Sequence, residues 1–214
     1  MEIELIIIIA ATCLISYKGF NDLLFFNKYD FNIANIRSGE QLRMFTSGFL
    51  HVDFFHLFFN MFALLMFAPK VLEIMGGTSF LIIYLASLLS GNLLTLLLHK
   101  NEPFYRAVGA SGAVTGIVYT AILLDPNVEL RFLFFPFFPI KGYVFGIIYL
   151  LYSIYGMKSR HDNIGHSAHF GGAIGGFAFT LIKYPIIISE MPFIVLMLTL
   201  PIVILFILRK TGKM

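Results

Sequence analysis

An all-α membrane protein, built as a bundle of helices, is the fold class that this sequence predicts, and three observations predict it. Hydrophobic residues make up 58% of the 214 positions and charged residues only 13%. Mean hydropathy is +0.86, well away from the balance of a soluble domain. Apolar runs of membrane-spanning length follow one another along the whole chain, divided by short loops that carry Gly, Pro or charge.

Taken in order, the runs predict seven spans, at 3–17, 54–71, 79–98, 109–124, 139–157, 168–182 and 191–208. The N-terminus has no basic residue ahead of its apolar run, so that run reads as a first span rather than a cleaved signal peptide. Segment 18–50 mixes Leu23-Leu24-Phe25-Phe26 with Asn, Asp and Lys, which predicts a stretch lying in the membrane interface. The fourth and sixth runs are short for a hydrocarbon core of about 30 Å at a rise of about 1.5 Å per residue. Short spans inside a bundle predict a water-filled recess. With no repeat, low-complexity tract or linker, the expected organisation is one polytopic domain over 1–214, with a core over roughly 1–185 and an extra C-terminal span over roughly 191–208.

Charge and cysteine content exclude several function classes. The net charge of +3 is spread over loops rather than gathered in a stripe, which argues against a nucleic-acid partner and suits the headgroups of a lipid bilayer. Cys13 is the single cysteine, so an internal disulfide and a cysteine-rich metal site are both excluded.

Polar residues at membrane depth carry the functional information, because each costs a few kcal/mol unless it is paired or faces water (about 2.5–3.5 kcal/mol for a charged group). Three clusters qualify: His51, His56 and Asn60 at the head of the second span, Gly109-Ala110-Ser111-Gly112 at the head of the fourth, and His166-Ser167-Ala168-His169 at the head of the sixth. Spans two, four and six run in the same direction, so the three clusters converge near one face of the membrane. His56 and Asn60, four residues apart, are separated by about 40° around a helix and project together. His51 does not share their face and is expected to brace the loop before the span. Gly109 and Gly112 permit a tight backbone at a helix start, leaving the Ser111 hydroxyl exposed and nearby N–H groups unpaired. Taken singly, a His in an apolar helix is ordinarily a satisfied core residue and a Ser beside glycine a packing residue. Four costly groups at one depth need a common reason.

Metal chemistry lacks its residues, since there is no H-E-x-x-H helix and no carboxylate in a ligand-like spacing from His51, His56 or His169. Aspartyl chemistry lacks a second carboxylate to face Asp30 or Asp125. Serine chemistry has its full set: Ser111 as nucleophile, His169 as base, and His56 and Asn60 as side-chain donors to an oxyanion beside backbone N–H groups. No buried carboxylate is apparent, so the expected unit is a dyad. In the sixth span Gly171, Gly172, Gly175 and Gly176 form two overlapping G-x-x-x-G pairs, the pattern of close helix packing.

G-A-S-G around Ser111, H-x-x-x-x-H-x-x-x-N from His51 through His56 to Asn60, and A-H-x-x-G-x-x-x-G from Ala168 to Gly176 resemble the rhomboid proteases in sequence and order. The resemblance extends to Arg43, Glu73, Gly76 and Gly77 and covers roughly residues 40 to 180. It implies a six-helix intramembrane serine protease that cuts transmembrane protein substrates, with Ser111 as nucleophile, His169 as general base, His56 and Asn60 in the oxyanion hole, and no metal or cofactor. The extra span resembles the six-plus-one arrangement seen in part of the family. A substrate helix is expected to enter between spans two and five, and the polar loop 157–166 to cap the recess.

Two departures stand out. Leu42 replaces a frequent Trp before the loop arginine, and Thr115 replaces an aromatic four residues after the serine. Thr115 has no ring to stack on His169, so the Gly172/Gly176 packing face is expected to hold that side chain instead. Orientation sets the resemblance against charge: the family implies an active site opening to the extracytoplasmic side, which leaves Lys70, Arg131, Lys141 and Lys183 on the inner side and the other eleven of fifteen Lys and Arg outside. The positive-inside rule prefers the reverse. A catalytically silent rhomboid-like protein that binds membrane clients is the alternative, and a transporter a more remote one; retention of both Ser111 and His169 speaks against each.

Overall fold

The computed structural model describes residues 2–132, 135–159 and 164–213. Among the described residues seven helices form the bundle: α1 (Ile3–Asn21), α5 (Phe54–Met75), α6 (Gly77–Leu98), α7 (Ser111–Leu124), α8 (Gly142–Ser159), α9 (His166–Lys183) and α11 (Pro192–Lys210). Between α1 and α5 lie α2 (Leu23–Tyr29), strand β1 (Phe31–Asn32), α3 (Ile33–Arg37), α4 (Arg43–Thr46) and a 3-10 turn over Ser47–Phe49. The remaining elements are strand β2 (Arg106–Ala107), the ribbon β3 (Glu129–Phe132) and β4 (Phe135–Lys141), and the short α10 (Ile186–Glu190). The chain is an integral multi-pass membrane protein.

By length and apolarity alone α1, α5, α6 and α11 qualify as spans. Their outward faces carry exposed Ile7, Leu14, Phe55, Phe59, Leu196 and Phe206, surface that only lipid can cover without cost. The 14 residues of α7 fall short of the bilayer. At about 1.5 Å per residue such a helix reaches about 21 Å. It sits in the centre of the bundle, with every residue from Gly112 to Leu123 buried.

Contacts at the two ends show that the helices alternate in direction. At one end Lys183 of α9 meets Ser79 of α6, and the Tyr184 hydroxyl donates to the Ile74 carbonyl at 3.1 Å. At the other end Ser16 of α1 reaches His51, Thr95 of α6 meets Ser167 of α9 at 2.9 Å, and Arg209 of α11 donates to the Leu97 carbonyl at 3.2 Å. The last helix therefore traverses the full height of the bundle, packed along α8.

Several boundaries differ from the sequence expectation. The fifth span begins at Gly142 rather than 139, because Pro136 and Pro139 hold the chain extended and it pairs as β4 against β3. Segment 18–50 divides into several elements: α1 continues to Asn21, and α2 to α4 follow with caps from the Asp22 and Asn32 side chains. The first strand pairs antiparallel with β2, Phe31 opposite Ala107 and Asn32 opposite Arg106, which ties this segment to the chain leading into α7.

Glycine decides how closely α9 approaches its neighbours. A Cβ on Gly172 would run into the Gly112 carbonyl of α7, and one on Gly176 into the Gly116 carbonyl. On the adjacent face a Cβ on Gly171 would lie 2.5 Å from the Ser90 carbonyl oxygen of α6, and Ser90 Oγ donates to the Gly171 carbonyl at 2.8 Å. Backbones that touch leave no slack for a side chain. Replacing Gly172 by Val is therefore expected to destabilise the bundle by about 1–3 kcal/mol, the usual cost of overpacking. Unfolding by denaturing detergent checks this; a variant as stable as the parent would mean that α7 and α9 are not in backbone contact.

Candidate active site

The loop before α5 is held by His51. Its ring is fully buried, and Nε2 accepts from the Ala110 N–H at 3.2 Å. That nitrogen must then be unprotonated, so Nδ1 carries the hydrogen and donates to Ser16 Oγ at 2.8 Å. The Ser16 hydroxyl in turn donates to the Phe49 carbonyl at 2.8 Å. One imidazole thus joins α1, the 3-10 turn and the residue preceding Ser111. Burial, with His56 alongside, lowers the pKa of His51 to about 3. Helix α5 then starts under a cap in which Asp53 accepts from the His56 N–H at 2.8 Å. The His56 ring lies edge-on to His51 with centroids 4.8 Å apart. One turn on, Asn60 donates an amide hydrogen to the His56 carbonyl at 2.9 Å, leaving its second N–H for another acceptor.

Gly109 has φ +129°, a conformation that L side chains rarely adopt. A Cβ there would lie 2.8 Å from His56 Nε2 and 3.7 Å from Ser111 Oγ, so the imidazole, the glycine and the hydroxyl share one small volume. Helix α7 begins at Ser111, whose first-turn N–H groups have no carbonyl one turn earlier to bond. The Ala110 N–H is already committed to His51. The Thr115 hydroxyl donates back to the Ser111 carbonyl at 2.7 Å.

Helix α9 starts at His166, so His169 stands in its first turn. The Ala168 carbonyl is wedged between two glycines: a Cβ on Gly91 would come to 2.5 Å from its oxygen and one on Gly112 to 3.1 Å. Register follows from that wedge, bringing the residues next to Gly112 and Ala168, Ser111 and His169, to the same rim. The His169 ring is stacked on Tyr149 of α8, with centroids 5.8 Å apart and planes at 22°. The glycine face seats the helix, whereas an aromatic ring from another helix meets the imidazole. The sequence expectation had named only the first.

Ser111, His169, His56 and Asn60 line one open recess of about 950 Å³, with His166, Gly156 and Met157 also on its wall. Residues 160–163 of the expected capping loop lie outside the described residues; Ile164, Gly165 and His166 line the recess. Asp30 and Arg106 stand at its border, and sequence reasoning missed both. Asp30 is 1% exposed, bonded by Arg43 Nη1 at 2.8 Å and by Arg106 Nε. Burial pushes the Asp30 carboxyl up, opposed by Arg106 and Arg43. Arg43 is buried as well and also donates to the Asn27 and Asp30 carbonyls. Ser16 could have been found from sequence, as a polar residue at depth in the first span. Asp30, Arg106 and Tyr149 left no such signal. Among the described residues no three His, Cys, Asp or Glu side chains gather as metal ligands.

A family model described as the Rhomboid domain matches residues 38–186, which hold every recess residue from Val52 to His169. The chain belongs to the rhomboid family. It is 33% identical over 157 residues to the putative rhomboid protease YdcA of Bacillus subtilis (strain 168), covering 72% of this chain and 71% of that one. With the mitochondrial RHOMBOID-like protein 12 of Arabidopsis thaliana it shares 30% identity over 183 residues, 78% of this chain and 54% of the relative. The rhomboid protease GluP of Bacillus subtilis matches at 31% over 142 residues, 66% of this chain and 26% of that protein. This rhomboid therefore spans about half the length of the plant relative and about a quarter of GluP. Two of these relatives carry protease in their names, YdcA as a putative one.

His51 has a pH consequence. Its folded pKa lies below the unfolded value of about 6.5, so between about 3 and 6.5 the unfolded chain binds the extra proton. Stability is full above that window and falls as pH drops through it. His51→Gln, whose amide can accept from Ala110 and donate to Ser16, is expected to flatten the slope. Unfolding measured from pH 7 down to pH 4 checks this; parallel curves for parent and variant would contradict a neutral, buried His51.

Proposed function

We propose that this rhomboid is an intramembrane serine endopeptidase that cleaves transmembrane segments through a Ser111–His169 dyad. The observation that carries the reading is the convergence of three helix starts, those of α5, α7 and α9, on one recess lined by His56, Asn60, Ser111 and His169. A bilayer has no water to offer these groups, and the short α7 leaves a wet space above its first residue. Peptide hydrolysis needs such a space.

In the proposed cycle a substrate helix reaches the recess between α5 and α8 and unwinds, because an intact helix keeps its carbonyls bonded. Ser111 Oγ bonds to the scissile carbonyl carbon while its proton passes to His169. Negative charge on the former carbonyl oxygen is met by the His56 ring, the free amide hydrogen of Asn60 and the Ser111 N–H. The C–N bond breaks as His169 returns the proton to the leaving nitrogen. Water then attacks the acyl ester, gives a proton to His169, and restores the Ser111 hydroxyl. In this reading His51, Gly109 and Gly112 support the site: His51 holds the residue before the nucleophile, and the two glycines let His56 and α9 come close. Family resemblance favours a recess open to the extracytoplasmic side.

Cleavage of a reporter transmembrane helix in proteoliposomes tests the chemistry. Ser111→Ala and His169→Ala are each expected to lose at least about a thousandfold in rate. His56→Ala and Asn60→Ala, which share one oxyanion, are expected to lose about tenfold to a hundredfold each in kcat. Equal cleavage by parent and Ser111→Ala would end the Ser111–His169 reading, and no cleavage by either would favour a silent client-binding protein. For orientation, Thr211→Cys in a Cys13→Ser background is expected to react with an impermeant maleimide added outside intact cells. Reaction only from the cytoplasmic side would reverse the assignment.

A further inference from the structure

The geometry points to Tyr149 as the residue that positions the His169 imidazole, in place of the aromatic missing at position 115. This rests on the Ser111–His169 reading above.

His169 lies on a helix whose two glycine faces are closed against α6 and α7; those contacts place its backbone, and the His166 ring meets its ring edge-on with centroids 6.1 Å apart. A ring plane is set by a surface pressed against it. Tyr149 supplies that surface, nearly parallel at 22° and within the stacking range, with centroids 5.8 Å apart. Phe145, one turn earlier on α8, stacks in turn on Tyr149 at 5.8 Å and 26°.

The tyrosine is itself anchored to the nucleophile's backbone. Thr115 Oγ1 has a single hydrogen, and it donates that hydrogen to the Ser111 carbonyl at 2.7 Å. Its contact with the Tyr149 hydroxyl at 3.2 Å must therefore run the other way, from the phenol to the threonine oxygen. A continuous path results, from the His169 ring to the face of Tyr149, through the phenol to Thr115, and on to the carbonyl of Ser111. A threonine at 115 is then no loss of support: it has the hydroxyl that a ring on α8 needs, and a bulky aromatic there would compete for the same space. The base is oriented from α8, the helix that borders substrate entry, rather than from the helix that carries the nucleophile.

The test uses the full chain. Reporter cleavage is expected to show kcat reduced about tenfold or more in Tyr149→Leu, equivalent to about 1.4 kcal/mol or more, with KM within about twofold of the parent because no substrate contact is removed. Tyr149→Phe, which keeps the ring and loses the phenol, is expected to fall between the two. Adding Thr115→Tyr to Tyr149→Leu is expected to restore part of kcat by bringing a ring from α7. A purely structural role predicts no such rescue, and thermal unfolding of each variant shows whether it is folded. Proton NMR of the histidine rings, assigned with His169→Gln, supplies a readout independent of proteolysis: the His169 ring signal is expected upfield in the parent and in Tyr149→Phe, and not in Tyr149→Leu. A folded Tyr149→Leu variant with parental kcat, or a His169 signal unchanged by the substitution, would overturn the inference. If the parent and Ser111→Ala fail alike to cleave while the ring shift behaves as stated, the protease reading falls and the positioning stands.

Discussion

Contact between the backbones of α7 and α9 is the constraint on which the rest of the molecule depends. The small faces of Gly112, Gly116, Gly172 and Gly176 let two helices meet with no side chain between them, and the Ala168 carbonyl locks into the notch between Gly91 and Gly112. In lipid there is no hydrophobic effect to press helices together, so close packing and hydrogen bonds such as that from Ser90 to Gly171 must hold them. A one-residue slip in this register would turn His169 away from Ser111 by about 100°. The same contact that stabilises the bundle therefore sets the relation between the two proposed catalytic side chains.

Around that contact the protein solves the problem of polar groups at depth in two ways. Those that brace the architecture are closed into hydrogen-bonded networks, as His51 is with Ser16, the Phe49 carbonyl and the Ala110 N–H. Those of the proposed chemistry instead face an open recess above a helix too short to fill the membrane. The difference between the two classes is access to water. It lets a rigid frame surround groups that must exchange protons.

Much of this can be read along the chain. Runs of apolar residues mark all seven long helices, because crossing about 30 Å of hydrocarbon imposes a length that no other environment requires. The odd and even spans must point in opposite directions, so the polar heads of the second, fourth and sixth fall at one face whatever the packing. Extended backbone over residues 135–141 was less legible, since Phe135 to Ile140 is as apolar as a span and only the proline spacing argues against a helix.

Local pattern and topology, acting through periodicity and bilayer thickness, are therefore enough to name Ser111, His169, His56 and Asn60 as a group. They do not reach the partners of that group. Tyr149 meets His169 across a helix boundary 20 residues away in sequence, and Asp30 meets Arg106 across 76. No short-range rule encodes such pairs, because the ring stack depends on the rotation and depth of whole helices and the Asp30–Arg106 ion pair on the pairing of β1 with β2, which only the folded chain sets. Seen from sequence, Thr115 looks like a missing support; in the folded protein its hydroxyl carries the ring that replaces it.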